Sequence, residues 1–75
     1  MKLGTVTGPV WATKKVPGLA GYGLLTVDAD GSTMIAADFV GAGPGDRVLL
    51  LTGGAARMGS DTLPIDAAII GILDK

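Results

Sequence analysis

Short apolar segments, repeatedly interrupted by turn-forming residues, limit the fold of this 75-residue chain more than any other feature. Thirteen glycines and four prolines divide the sequence, so no apolar segment is long enough, with a 3.6-residue period, to form a convincing helix. Five segments fit β-strands instead. They are residues 3–13, 24–28, 33–40, 47–52 and 67–73.

One short helical turn is expected between the fourth and fifth strands. Residues 55–58 are good helix formers, and Gly59 follows them as a helix-ending residue. Five short strands with one such turn suit a small closed barrel, because closure leaves no strand edge exposed. The prediction is an all-β fold, a five-stranded OB-like barrel. A chain of this length holds one core, so residues 1–75 are predicted to form a single domain.

Several predicted strands are apolar on both faces, which favours self-association. Residues 34–37, 48–51 and 67–70 lack the alternation of apolar and polar side chains that a half-exposed strand shows. No long helix is available to cover the outer face. A second copy of the chain would cover this face, so a homo-oligomer is expected.

The chain contains neither cysteine nor histidine, which excludes much of enzyme chemistry. Disulfides, thiolate nucleophiles, the usual zinc sites and imidazole acid–base catalysis all require one of these residues. The aspartates are scattered among turns, and Ser32 and Ser60 lie in no nucleophile-elbow motif. No catalytic residue, cofactor-binding residue or metal ligand is assigned, and an enzyme is not expected.

Charge and hydropathy also narrow the choice of partners. Six basic and seven acidic residues give a net charge of −1, which is far from the basic balance of a nucleic-acid-binding domain. The longest apolar run, residues 67–73, is much shorter than the roughly 20 residues of a membrane-spanning helix. The first residues lack the apolar core of a secretory signal, so a soluble, cytoplasmic protein is expected.

Three glycine-containing segments resemble ligand-binding motifs without completing them. Residues 41–46 have the spacing G-x-G-x-G and lead into a strand, whereas a dinucleotide site needs G-x-G-x-x-G before a helix. Residues 53–57 lack the Lys-Ser/Thr of a P-loop. A calcium loop starting at Asp28 would need a carboxylate where Phe39 stands. All three segments are interpreted as turns or loops.

An alternative function is a minimal OB-type module that binds single-stranded nucleic acid or an oligosaccharide. Trp11 lies close to Lys14 and Lys15, a combination that such a surface could use. However, the chain has only three aromatic residues, and single-strand binders stack several bases on aromatic side chains. The binding module therefore remains the second hypothesis.

Blocks of residues along the chain resemble the vertex proteins of ethanolamine-utilisation compartments and carboxysomes. The resemblance begins with Gly4-x-Val6, Val10-Trp11-Ala12-Thr13-x-Lys15 and Leu19-x-Gly21-x-x-Leu24-Leu25-x-Val27. It continues with Ala37-Asp38-x-Val40-Gly41-Ala42-Gly43-x-Gly45-Asp46-x-Val48-Leu49 and Gly53-x-x-Ala56-Arg57. It ends with the block Ile65-Asp66-Ala67-Ala68-Ile69-Ile70-Gly71-Ile72-Leu73-Asp74.

This resemblance implies a cyclic homopentamer that caps the vertices of a bacterial microcompartment shell in the cytoplasm, next to hexameric facet proteins. On this hypothesis, Gly41, Gly43 and Gly45 shape a loop that Asp38 and Asp46 anchor. Arg57 is expected to pair with Asp46 or Asp66, within a subunit or across an interface. With Asp66, it would fix the helical turn or the contact between subunits.

Overall fold

The computed structural model describes residues 1–19, 21–60 and 62–74. Its strands are β1 (Lys2–Pro9), β2 (Gly23–Ala29), β3 (Ser32–Asp38), β4 (Arg47–Thr52) and β5 (Ala67–Ile72). Two short 3₁₀ turns accompany them, Pro17–Leu19 and Gly53–Arg57. The predicted all-β fold is confirmed. A helical turn between the fourth and fifth strands is also present, but it begins at Gly53, before the predicted residues 55–58, and Met58 rather than Gly59 caps its end in a left-handed conformation.

The five strands form a closed barrel in the order β1-β2-β3-β5-β4. Four of the contacts between neighbouring strands are antiparallel. The contact between β3 and β5 is parallel and consists of two residue pairs, Ala37 with Ala68 and Asp38 with Ile69. We call this contact the seam. It closes the barrel with far fewer residue pairs than the contact between β2 and β3.

The first strand is shorter than predicted, because it ends at Pro9 and does not continue to Thr13. Proline has no N–H group with which to extend a strand ladder. The Val10 N–H still donates to the carbonyl of Leu24, with N and O 2.8 Å apart. Beyond that point the chain leaves the barrel wall and reaches the first 3₁₀ turn at Pro17.

The barrel interior holds the first of two hydrophobic clusters. Its largest fully buried side chains are those of Val6, Val27, Val48, Leu50 and Ile69. Gly4 belongs to the same interior, since a Cβ added there would lie 2.5 Å from Val27 Cγ1 and 3.0 Å from Leu50 Cδ1. The interior is therefore filled by side chains from all five strands, with Ala36 contributed by β3.

The second hydrophobic cluster lies on the outer side of the barrel wall. Ala37 and Ala68 of the seam are buried there beneath Ala56 of the second 3₁₀ turn and beneath Leu63 and Ile65 of the segment before β5. Partly buried residues complete this cluster, namely Leu19, Tyr22, Leu24, Phe39, Leu51 and Ile70. The chain itself thus supplies part of the outer cover that the sequence analysis assigned to a second copy.

The hairpin between β2 and β3 turns within two residues, Asp30 and Gly31, because Ala29 pairs directly with Ser32. Both turn residues have positive φ angles, 52° and 75°, as the tight hairpin turns that suit twisted strands require. Thr33 Oγ1 donates to Asp28 Oδ1 over 2.7 Å. The segment from Asp28 is therefore a hairpin, as predicted, and Asp28 serves the turn.

Candidate assembly surface

The glycine-rich loop between β3 and β4 begins with a turn built on Asp38. Asp38 Oδ1 accepts hydrogen bonds from the backbone N–H groups of Val40 and Gly41, each over 3.0 Å. A short aspartate side chain commonly organises a turn in this way, by satisfying backbone donors two and three residues further on. Gly41 has a φ of 81°, a conformation that favours glycine.

The same loop ends with a second turn, built on Asp46. The Gly43 N–H donates to Asp46 Oδ2 over 2.8 Å, and the Asp46 N–H donates back to the Gly43 carbonyl over 3.1 Å. Gly45, inside this turn, has a φ of 88°. Gly43 has no positive φ, and a Cβ added there would come no closer than 4.0 Å to another residue. Backbone geometry therefore requires glycine at Gly45 and does not require it at Gly43.

Backbone hydrogen bonds hold this loop against β1. The Gly45 N–H donates to the carbonyl of Val6 over 2.8 Å, and the Val6 N–H donates to the carbonyl of Asp46 over 2.9 Å. Val6 is part of the barrel interior. The loop is thus joined to the wall of the barrel next to its core, which fixes its position.

Arg57 is the last residue of the second 3₁₀ turn, and Asp66 is joined to the first, but their side chains do not pair. Arg57 is exposed and forms no ion pair with Asp66 or with Asp46. Asp66 supports the turn through its backbone, because its carbonyl accepts the Gly53 N–H over 2.8 Å. The ion pair considered from the sequence is therefore absent within the subunit. Its alternative, a pair across a subunit interface, stays a prediction.

A groove opens on the barrel surface beside the seam. It has a volume of about 570 Å³ and is lined by Thr26, Thr33, Met34, Ile35, Thr52, Asp66 and Ala67. A smaller groove shares Ile35, Asp66 and Ala67 with it and extends toward Leu24 and Pro64. We call the two together the seam groove. Among the described residues that line it, Asp66 is the only charged one.

Large apolar side chains are also exposed elsewhere on the barrel. Trp11 is the extreme case, with 89% of its surface exposed. The others are Met1, Leu3, Val16, Ile35, Val40, Met58 and Ile72. Sequence reasoning placed Trp11 only on the surface of the alternative binding module, and Ile35 only in a strand segment that is apolar on both faces. The position of Trp11 after Pro9 was the one available signal.

Titratable groups do not converge on any part of the described surface. Among residues 1–19, 21–60 and 62–74, no three carboxylates lie close enough to hold a metal ion, and no buried side-chain polar atom lacks a hydrogen-bond partner. Within the same ranges, no helix is long and apolar enough to cross a membrane. A small closed barrel with large apolar side chains on its surface defines the class of protein that associates through such surfaces.

Comparison with known protein families identifies the particular group. Residues 1–74 match the family model described as ethanolamine utilisation protein EutN/carboxysome. This chain belongs to that family.

Two curated relatives illustrate the similarity in sequence. The bacterial microcompartment shell vertex protein EutN of Escherichia coli K12 is 42% identical over 84 residues, which cover 100% of this chain and 88% of the relative. The carboxysome shell vertex protein CcmL of a Synechocystis strain is 41% identical, over 99% of this chain and 83% of the relative. These relatives are structural shell proteins and not enzymes, which confirms the expectation that this chain is not an enzyme.

A solved structure shows the same similarity in three dimensions. The GrpN pentameric microcompartment shell protein of Rhodospirillum rubrum superposes with a TM-score of 0.87 and is 41% identical. The superposition covers 100% of this chain and 94% of that protein. The barrel described above is therefore the barrel of a shell protein, and the resemblance predicted from sequence is confirmed.

Proposed function

We propose that this chain is a vertex protein of a bacterial microcompartment shell and that it acts as a ring of five copies. The observation that carries the proposal is the match along the whole chain to a protein described as a pentameric shell protein, with the same barrel. The exposed apolar side chains support it, because a ring would bury surface that a monomer leaves in water. The second hypothesis, an OB-type binding module, gains no support from the relatives.

In the proposed assembly, residues 1–75 act as one domain, and the ring meets hexameric facet proteins in a shell located in the bacterial cytoplasm. The ordered loop from Asp38 to Asp46 would present a fixed surface to a neighbour. Gly41 and Gly45 set the conformation of this loop, Gly43 donates the hydrogen bond that closes its second turn, and the two aspartates hold it in place.

Arg57 is proposed to act between subunits. Its side chain is exposed and pairs with neither of the aspartates considered for it within the subunit. A salt bridge from Arg57 to Asp46 of a neighbouring copy would give this side chain a partner and would add to the contact between subunits.

Native mass spectrometry of the purified chain tests the ring. A discrete species of five times the 7.4-kDa chain mass is expected. The Arg57→Ala variant should shift the distribution toward smaller species. The Lys2→Ala variant serves as a control for the loss of a positive charge, because Lys2 pairs with Asp30 within the subunit. A wild-type chain that remains a monomer at all concentrations would contradict the proposal.

Co-expression with a hexameric facet protein tests the role in the shell. With the chain present, closed polyhedral particles are expected by electron microscopy, whereas its omission should leave open or elongated assemblies. Closed particles of the same shape and number in both preparations would contradict the vertex role, even if the chain forms a ring alone.

A further inference from the structure

Residues 10–16, which we call the arm, leave the barrel wall without forming regular secondary structure. The arm is held at its two ends. The Val10 N–H donates to the Leu24 carbonyl, and the Val16 carbonyl accepts the Leu19 N–H over 2.9 Å. Between these points, residues 11–15 form no backbone hydrogen bond with another described residue. The middle of the arm therefore has donors and acceptors available for another chain.

Trp11 is the most exposed large apolar residue of the described chain, at 89%. An indole buries about 150–250 Å² when it is covered, and tryptophan is enriched among the residues that dominate binding energy. Tryptophan is also highly buried on average in folded proteins. The indole of Trp11 is almost fully exposed in the single subunit, although the arm that carries it is held at both ends. We therefore expect Trp11 to bind in a pocket on another molecule.

The seam groove provides a surface of matching chemistry. Only Ala37 and Asp38 of β3 pair with β5, so residues 32–36 leave that side of the strand open. Ile35, which lines both parts of the groove, is 52% exposed. An open strand edge next to an apolar groove is the kind of surface to which an extended segment adds, through backbone pairing and a side chain in the groove.

The charges of the arm and the groove are opposite. The arm carries Lys14 and Lys15, and the groove carries Asp66. Lys15 Nζ donates to the Tyr22 carbonyl over 3.4 Å. Lys14 and the Asp66 carboxylate have no ion pair or side-chain hydrogen bond with another described residue. Complementary charges of this kind select the partner and the register of a contact.

We propose that the arm of one subunit lies in the seam groove of the next, with Trp11 against Ile35 and Lys14 paired with Asp66. The occupant is a second copy of this chain, because the exposed Trp11 shows that the arm does not fill the groove of its own subunit. Arm and groove are different surfaces, so each subunit gives one and receives one, as a closed ring requires. This inference rests on the proposed ring.

Introduced cysteines test the contact directly, since the natural chain has none. Trp11→Cys and Ile35→Cys chains would be co-expressed with different tags and oxidised. A disulfide between the two tags is expected. Leu3→Cys provides the matched control, because Leu3 is 50% exposed, nearly as much as Ile35. Linkage of Trp11→Cys to Leu3→Cys, with none to Ile35→Cys, would overturn the inference.

The only tryptophan of the chain gives an independent readout. In the ring, Trp11 emission should be blue-shifted and shielded from acrylamide, and dilution should reverse both effects together with the loss of mass. Trp11→Ala should raise the concentration at which the ring dissociates by at least about tenfold, while Trp11→Phe retains much of the affinity. A tryptophan that is equally quenchable in ring and monomer would overturn the inference.

Charge reversal tests the polar part of the contact. Lys14→Asp and Asp66→Lys should each weaken the ring, and the double variant should recover most of the loss, as coupled residues do. If the losses of ring stability caused by the two single variants simply add in the double variant, Lys14 and Asp66 do not pair in the contact. The native mass of the wild-type chain distinguishes failure of the proposed ring from failure of the arm contact. A monomeric wild type refutes the proposed function, whereas an intact ring without linkage or shielding refutes the arm contact alone.

Discussion

At the residue scale, the absence of a side chain is as important for this barrel as the presence of one. Gly4 lies in the interior, where a Cβ would overlap Val27 and would also lie 3.2 Å from the Asp28 carbonyl oxygen. Gly8, in the same strand, has only Thr26 Oγ1 within 4.0 Å of the equivalent position. Within one strand, Gly4 therefore has no room for a side chain and Gly8 has room for one, a difference that the sequence does not show.

Gly4→Ala should destabilise the barrel, because the close packing leaves no room for a methyl group. Overpacking of this kind costs about 1–3 kcal/mol in the free energy of unfolding. Gly8→Ala, the matched control, should be close to neutral. Urea unfolding of the two variants measures the difference, and equal midpoints would show that the wall relaxes around Gly4.

Gly31→Ala should also destabilise the chain, for a conformational reason. Gly31 has a φ of 75° and open space around it, so only the left-handed backbone penalises alanine, by about 1–2 kcal/mol. Gly54 has equally open space without a positive φ, so Gly54→Ala is the control and should change little. Thermal unfolding of the Gly31→Ala and Gly54→Ala variants measures the difference. An equal loss of stability in both would show that the positive φ of Gly31 is not the cause.

At the scale of elements, strand positions were predictable and the outer packing was not. The limits of β4 were predicted without error, because Asp46 and Gly53 are clear turn residues on either side. The first strand was predicted four residues too long, since the apolar residues Val10 and Trp11 continue its pattern beyond Pro9. The outer cluster unites segments that are distant in sequence, and no local pattern could pair Ala56 with Ile65.

The candidate surface was predictable to a similar extent. Aspartates next to glycines indicated the turns at Asp38 and Asp46, because these turns depend on neighbouring residues alone. The seam groove depends on where β3 and β5 separate, which is a property of the assembled barrel. The hydration of Trp11 is also decided by tertiary structure, since the same residue in a longer strand would face a core.

Ile65→Ala should loosen the outer cluster and the second 3₁₀ turn. Ile65 is buried against the same cluster as Ala56, and removing such a side chain costs about 2–5 kcal/mol. Hydrogen exchange should accelerate at residues 53–58 before the barrel strands are affected. Ile72→Ala, at a half-exposed site, should leave that exchange unchanged. Faster exchange throughout the barrel would show that the cluster does not open separately.

At the scale of the whole molecule, a short chain without disulfides has a limited reserve of stability, to which association can add. Small domains bury a modest fraction of their surface, and the chain has no cysteine with which to compensate. Binding between copies stabilises the folded form by mass action. Exposed apolar side chains therefore lower the stability of the monomer, and their burial in a ring would stabilise the folded chain.

The melting temperature should therefore rise with protein concentration. In a ring, unfolding is coupled to dissociation, so a tenfold increase in concentration shifts the transition upward. The Trp11→Ala variant should show a weaker dependence in the same calorimetric series. A melting temperature independent of concentration over a thousandfold range would show that the subunit is stable without its neighbours.

The seam also has a consequence for the order of folding. The strands β1, β2 and β3 follow one another as hairpin neighbours, whereas Ala37 and Ala68 must meet across a long loop of chain. Contacts between distant segments carry a larger entropic cost of loop closure than hairpin contacts do. The contact between β1 and β4 is more distant still, but it joins four residue pairs where the seam joins two. The seam therefore has the least pairing to offset its closure, and we expect it to form last. If an arm from the next subunit then occupies the groove at that line, the final step of folding and the first step of assembly stabilise each other. An unfinished barrel would offer no groove, and an incomplete subunit would be excluded from the ring.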